Sequence, residues 1–280
     1  MVPVSNIIAC YVTLFISFLL PLFGGVLFLS LHRKERLTSA WLLGALGFFV
    51  PQMVVRTPLL QLLSPHLAVL SLAHPLVYGL GLAVTAALFE LAGRLMVARL
   101  LKNKLTFHRS LAAGMGHGGI ESILIVGIAY VTNLYYISLI QSGEFDSLLP
   151  LLSQVEGAAE QMEAMRQTLI TTPWWMFLLA GLERLLTMVC HAGLSLLVCY
   201  SLHRGETLKG SLLCLAAHTV LDSAASVTCF VGRGLSQAGA YAIIYSVLTL
   251  MAILSVCTIL TIRRHWSVES QKEVLPHESL

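Results

Sequence analysis

The sequence AHPLVYGLGLAVTAALFELAGRLMVARLL, residues 73–101, is the clearest indication of the fold class. It is apolar over more than the ~20 residues that a helix needs to cross a bilayer, yet it carries Glu90 and Arg94. Ionisable side chains are expensive inside a bilayer and are kept where they face one another or an internal cavity. Because residues four apart share one helix face, Glu90 and Arg94 form a polar pair on one side of this helix.

The whole chain has the composition of a membrane protein. Of its 280 residues, 57% are hydrophobic and 11% are charged, whereas soluble domains are about one-quarter charged. Long apolar runs form helices, while barrel strands are short and alternate in polarity, so we predict an all-α polytopic bundle of seven transmembrane spans. The predicted spans are 6–31, 39–63, 73–101, 110–140, 173–202, 210–232 and 237–262.

Basic residues follow the first, third, fifth and seventh apolar stretches, and the other loops are poor in them. The positive-inside rule then predicts an external N-terminus and a cytoplasmic C-terminus. We expect one membrane domain over 1–266 and a polar cytoplasmic tail over 267–280. The external loop 141–172 contains an apolar pattern over 151–170 that is typical of an amphipathic helix. The net charge of +3 is small and indicates orientation in a lipid bilayer rather than nucleic-acid binding.

Two other apolar stretches repeat the four-residue spacing, with His117–Glu121 in one and His218–Asp222 in the other. Depths counted from the nearest basic residues, at ~1.5 Å per helical residue, place these groups in one layer with Glu90, Arg94 and His191. The layer reaches from the cytosolic half to the midplane. Structural roles stay open for Glu90–Arg94 as an ion pair and for His191 as an interhelical hydrogen-bonding group. The candidate catalytic residues are Glu90, Arg94, His117, Glu121, His191, His218 and Asp222.

The order of these motifs resembles that of the YhfC-type intramembrane peptidases, which are distant relatives of the CAAX-prenyl and PrsW-type membrane proteases. The motifs are FELAGR at 89–94, GHGGIE at 116–121, Cys190–His191, and HTVLD at 218–222. The resemblance covers roughly residues 85–225 and implies a peptidase of the bacterial cytoplasmic membrane. In the wider superfamily the first motif has two adjacent glutamates, whereas here Phe89 precedes Glu90.

Two hydrolytic mechanisms fit this resemblance. In one, Glu90 or Glu121 is the general base for a water beside His117, while His218 and Asp222 stabilise the oxyanion. In the other, His117 and His218 with a carboxylate, such as Asp222, bind Zn²⁺. The chain lacks an HExxH motif, so we slightly favour the version without a cofactor. The expected substrate is a membrane-tethered, hydrophobic or lipidated peptide that reaches the site from the cytosol.

Two other function classes use the same residue types. A proton-coupled transporter or channel also carries intramembrane His, Glu and Asp, although the internal repeats common in transporters are not evident in this sequence. A catalytically inactive receptor or immunity protein would keep the scaffold without turnover. The sequence leaves the oligomeric state open.

Overall fold

The computed structural model describes residues 1–152, 157–231 and 235–274, and the regular elements of these ranges are all helical. Seven of the helices are long and apolar enough to cross a membrane, which confirms the predicted all-α architecture of seven spans. The helices are α1 Val4–Leu31, α2 Thr38–Leu62, α3 Ser64–Ala73, α4 Pro75–Leu101, α5 Phe107–Ser142, α6 Phe145–Leu152, α7 Ala158–Thr171, α8 Trp174–His203, α9 Thr207–Val231 and α10 Gln237–Val274.

Two elements begin or end differently from the sequence prediction. The amphipathic helix expected over 151–170 corresponds to α7, which begins only after Gly157, and residues 153–156 lie outside the described ranges. Gly157 has a φ of 75°, a left-handed conformation that stops a continuous helix and suits glycine. At the other end of the chain, α10 continues to Val274, into the segment predicted as a tail.

A proline interrupts α2 in the middle of the predicted membrane span. Residues Phe49–Arg56 form a π-helical segment that contains Pro51. Proline lacks a backbone N–H and cannot complete the ordinary helical ladder, so a wider turn is the local solution. The two buried residues of this segment are Pro51 and Gln52.

The described chain divides into two compact units. The first unit comprises Met1–Gly24 and Ser122–Leu185. Its apolar core includes Cys10, Tyr130, Leu169 and Phe177. Within this unit the buried Asn6 side chain donates to the carbonyl oxygens of Leu169 and Thr172, both at 2.9 Å. These bonds attach the start of α1 to the end of α7.

The second unit comprises Gly25–Glu121 and Leu186–Leu280. It contains all seven candidate catalytic residues, on α4, α5, α8 and α9. Small residues let α4 approach α2 closely: a Cβ on Gly93 of α4 would lie 1.9 Å from the backbone oxygen of Gly47 on α2. The predicted single domain over 1–266 and the orientation of the two termini stay predictions.

Candidate active site

The second unit buries five ionisable side chains together, and none is more than 3% exposed. They come from four helices, with α4 supplying two and α5, α8 and α9 one each. These residues are Glu90, Arg94, His117, His191 and His218. Such burial requires mutual charge compensation, because an unpaired charge inside a protein is strongly unfavourable. The structure therefore brings the predicted layer together as one contact network.

The Glu90 carboxylate is the centre of this network. Its Oε1 accepts a hydrogen bond from Gln52 Nε2 at 2.7 Å. Its Oε2 lies 3.1 Å from Arg94 Nη2 and 3.0 Å from His117 Nε2. His218 Nε2 is 3.6 Å from the same oxygen. Both carboxylate oxygens are thus held by hydrogen bonds from other elements of the unit.

Arg94 fixes the protonation of two histidines. Its Nη2 lies 2.6 Å from His191 Nδ1, and its Nη1 lies 3.3 Å from His218 Nδ1. A guanidinium can only donate hydrogen bonds, so both Nδ1 atoms must accept and remain unprotonated. The proton of each neutral imidazole is then on Nε2.

Those Nε2 atoms face the two remaining predicted residues. His191 Nε2 lies 2.8 Å from Glu121 Oε2, and His218 Nε2 lies 3.3 Å from Asp222 Oδ2. The Glu121 side chain is 12% exposed and that of Asp222 is 31% exposed. The two carboxylates therefore lie at the edge of the network, while the imidazoles and Glu90 lie inside it.

The charge of the network favours binding a cation. Three carboxylates converge here, those of Glu90, Glu121 and Asp222, against two guanidinium groups, those of Arg94 and Arg56. The carboxylates outnumber the guanidinium groups, and a bound cation would add compensating positive charge.

Four of the residues also offer metal-ligand atoms at one place. One donor atom from each of Glu90, His117, Glu121 and His191 lies within 4.8 Å of the others. Imidazole nitrogens and carboxylate oxygens are suitable ligands for Zn²⁺ and similar ions. The group shares His117 with the predicted ligand set of His117, His218 and Asp222. It contains His191 and Glu121 in place of the other two.

A small cavity lies against the network. Its volume is about 10 Å³, and its lining includes Arg94, His117 and Ser195. The Nε of Arg94 and the Oγ of Ser195 are buried and have no hydrogen-bond partner among the described residues. The space is close to the minimum for one water molecule. Two orphaned polar atoms beside such a space indicate a buried water at the edge of the site.

The glycines of GMGHGGIE explain how α5 brings His117 into the centre. A Cβ on Gly116 would lie 2.0 Å from the backbone oxygen of Trp41 on α2. A Cβ on Gly114 would lie 2.8 Å from the Cα of Ala192 on α8. Glycines on both sides of the helix allow its neighbours to approach closely. His117 is thereby packed at ring-centroid distances of 5.5 Å from Phe48 and 5.4 Å from His191.

Two site residues on α2 are not among the predicted ones. Gln52 binds Glu90 directly, and Arg56 Nη1 donates to Gln52 Oε1 at 3.4 Å. Arg56 also donates to the Leu82 carbonyl oxygen at 2.8 Å and to Thr85 Oγ1 at 3.2 Å. Gln52 and Arg56 are themselves four residues apart in an apolar stretch. The spacing that identified the other pairs therefore marks these residues too.

A larger cavity of about 530 Å³ leads to this polar edge. Its lining is mostly apolar and comes from the first half of α4 and the second half of α9. Arg56, Tyr78 and Asp222 provide polar groups. The remaining lining residues are Pro75, Leu76, Gly79, Leu82, Ala83, Ala86, Ala225, Ser226 and Cys229. Such a volume and lining are typical of sites that hold small molecules or peptide segments.

Comparisons with known proteins identify a matching family and a relative of this chain. The family described as YhfC intramembrane metalloprotease matches residues 16–258, a range that includes all seven candidate residues. The uncharacterized membrane protein YhfC of Bacillus subtilis (strain 168) is 34% identical over 198 residues. That alignment covers 66% of this chain and 71% of the relative. No solved structure matches the chain.

Proposed function

Since this chain belongs to the YhfC intramembrane metalloprotease family, we propose that it hydrolyses a peptide bond of a membrane-associated, hydrophobic or lipidated peptide. The observation that carries the proposal is the buried group of Glu90, His117, Glu121 and His191, whose donor atoms lie within 4.8 Å of one another. Buried histidines and carboxylates in a membrane protein are expensive, and function explains why they are kept.

The metal version of the mechanism is now favoured over the version without a cofactor. The family description names a metalloprotease, and a group of imidazoles and carboxylates within 4.8 Å of one another suits a divalent ion. Glu90, His117 and His191 would hold the ion, with the Nδ1 lone pair of His191 binding it in place of the Arg94 N–H, and we propose Zn²⁺. When bound, it would supply Lewis acidity toward a water and a peptide carbonyl. Zn²⁺ is the best match because two imidazoles and carboxylates are among its usual ligands.

The chain's own groups have separate tasks in the reaction. Glu121 is partly exposed and adjacent to the buried group, so it is the best placed general base for the attacking water. In the first motif, Phe89 stands where the wider superfamily has a second glutamate. Glu121 of α5 supplies a second carboxylate to the site instead. Arg94 is the counterion of Glu90 and orients His218 through its Nδ1 atom. Glu121 accepts a proton from the water as the water oxygen adds to the carbonyl carbon. The C–N bond then breaks, and Glu121 returns this proton to the leaving amine.

The substrate is expected to bind in the 530 Å³ cavity. Apolar walls from α4 and α9 would contact its side chains, and Asp222 connects the cavity to His218 of the network. The cavity lies on the side of Glu90 away from the basic residues that follow α4. Under the predicted orientation this is the external half of the membrane, whereas the sequence alone predicts that the substrate reaches the site from the cytosol.

The test is cleavage of a fluorogenic peptide library by the purified protein in nanodiscs, with and without a chelator. Glu121→Gln and His117→Asn should lose turnover by about 100-fold or more, the range seen when a general base is removed. Glu144→Gln changes an exposed carboxylate outside the site and should retain wild-type turnover. Chelation should abolish wild-type turnover, and added Zn²⁺ should restore it.

Two outcomes would overturn the proposal. Full turnover in Glu121→Gln, with equal thermal stability, would remove that residue from the chemistry. An absence of wild-type turnover across the library, combined with proton flux in liposomes, would instead favour the transporter alternative. Turnover that persists in the presence of the chelator would support peptidase activity and exclude the metal-dependent mechanism.

A further inference from the structure

A second group of metal-ligand atoms lies outside the buried network. It comprises His32 after the end of α1, Glu35 at the end of the short 3₁₀ turn Arg33–Glu35, and His108 near the start of α5. One donor atom from each residue lies within 4.8 Å of the other two. We refer to these three residues as the turn site.

The contacts within the turn site are close. His108 Nδ1 lies 2.7 Å from Glu35 Oε1, and the rings of His32 and His108 have their centroids 4.4 Å apart. The side chains of His108 and Glu35 are 34% and 37% exposed. Two imidazoles and a carboxylate thus converge where water can complete the coordination of an ion.

The hydrogen bond of His32 prepares it for metal binding. Its Nδ1 lies 3.0 Å from the Phe28 carbonyl oxygen, which can only accept. The Nδ1 atom therefore carries the proton, and Nε2 has a free lone pair. A backbone carbonyl that holds the remote ring nitrogen is the usual outer partner of a metal-ligating histidine, because it fixes both tautomer and ring orientation.

The backbone of the turn holds Glu35 in place from both sides. The Glu35 N–H donates to the His32 carbonyl at 2.9 Å, and Arg109 Nη2 donates to the Glu35 carbonyl at 2.9 Å. The next residue, Arg36, has a φ of 52°. A left-handed conformation is uncommon for a side chain other than glycine and indicates that the turn is held by its surroundings.

We propose that the turn site binds a divalent transition-metal ion of the Zn²⁺ or Co²⁺ type, separately from the intramembrane group. Two imidazoles favour such borderline ions over Ca²⁺ and Mg²⁺, which prefer oxygen ligands. The neighbouring Arg33, Lys34 and Arg36 make the region basic, so the affinity for the ion must come from the imidazole and carboxylate ligands themselves and not from a net negative charge. A bound ion would join the turn between α1 and α2 to the start of α5, nine residues before His117.

The experiment measures Co²⁺ binding to the full-length protein in detergent, by equilibrium dialysis and by visible absorption. His108→Asn and Glu35→Gln remove turn-site ligands, His117→Asn removes an intramembrane ligand, and His66→Asn changes an exposed histidine outside both groups. His108→Asn and Glu35→Gln should each bind one Co²⁺ fewer than wild type, or bind it at least about tenfold more weakly. His117→Asn should retain the turn-site ion, and His66→Asn should match wild type.

The two proposed sites can fail independently in this experiment. If the intramembrane group binds no ion, wild type should bind one Co²⁺ and His108→Asn none. Equal stoichiometry and affinity in wild type, His108→Asn and Glu35→Gln would overturn the turn site and leave only the His108–Glu35 hydrogen bond. Circular dichroism identifies a variant that fails to fold. Glu35→Gln is the variant least able to disturb the fold, because the Glu35 side chain is 37% exposed.

Discussion

At the scale of single residues, Arg94 determines the state of the site. One guanidinium contacts the carboxylate of Glu90 and the Nδ1 atoms of His191 and His218. Its planar fork allows several directed hydrogen bonds at once, which the point charge of a lysine cannot reproduce. Arg94 is therefore both the counterion of Glu90 and the group that sets two tautomers.

Replacing Arg94 by Met keeps an apolar stem of similar length and removes the charge. We expect the free energy of unfolding to fall by about 3–5 kcal/mol, because Glu90 is left as an uncompensated buried charge. Chemical unfolding in detergent, followed by tryptophan fluorescence, measures the change. The matched control is Arg99→Met on the same helix, where the side chain is exposed and little change is expected. Similar losses in both variants would contradict the role given to Arg94.

At the scale of helices, close approach of α5 to its neighbours positions His117. Gly116 faces the backbone of α2 and Gly114 faces α8, so His117 stands between two tight helix contacts. Pro51 adds the π-helical segment of α2 that presents Gln52 to Glu90. Small residues and one proline thus place polar groups that lie far apart in the sequence.

Gly116→Ala tests this packing directly. The added Cβ would meet the Trp41 carbonyl oxygen, so α5 must shift and the protein should lose about 1–3 kcal/mol of stability, as is usual for overpacking. Peptidase turnover should fall with the displacement of His117. Gly81→Ala is the control, because nothing lies within 4 Å of its Cβ. It should stabilise α4 by about 0.5–1 kcal/mol. Thermal melts that rank the two variants in the opposite order would exclude this account.

At the scale of the whole molecule, orientation in the membrane decides what each site meets. The positive-inside rule places the basic segments after α1, α4, α8 and the apolar part of α10 in the cytosol. The turn site would then face cytosolic metal ions, while the 530 Å³ cavity would open in the external half of the bilayer.

Reporter fusions measure this orientation. Green fluorescent protein fused after Gly205 should fluoresce, because the segment between α8 and α9 is predicted to be cytosolic. Alkaline phosphatase fused after Gly143, between α5 and α6, should be active, because that segment is predicted to be external. The reverse pattern would invert the predicted topology, together with the side from which the substrate enters.

The seven spans and the seven titratable residues of the polar layer could be predicted from the amino-acid sequence alone. Both follow from local rules: helix length against bilayer thickness, and the high cost of ionisable groups in an apolar stretch. Distance along a helix also fixes the depth of a residue in the membrane. The similar depth of Glu90, His117 and His218 could therefore be predicted from the sequence.

Which of these groups contact one another could be learned only from the three-dimensional packing of the helices. Depth fixes one coordinate of a side chain but leaves open the rotation of each helix about its axis and the identity of its neighbours. For this reason His117 groups with His191 and Glu121, where the sequence predicted His218 and Asp222 as its metal partners. Gln52 reaches Glu90 because a π-helical turn widens α2 at Pro51. Contacts across helices depend on packing that a single apolar pattern does not encode.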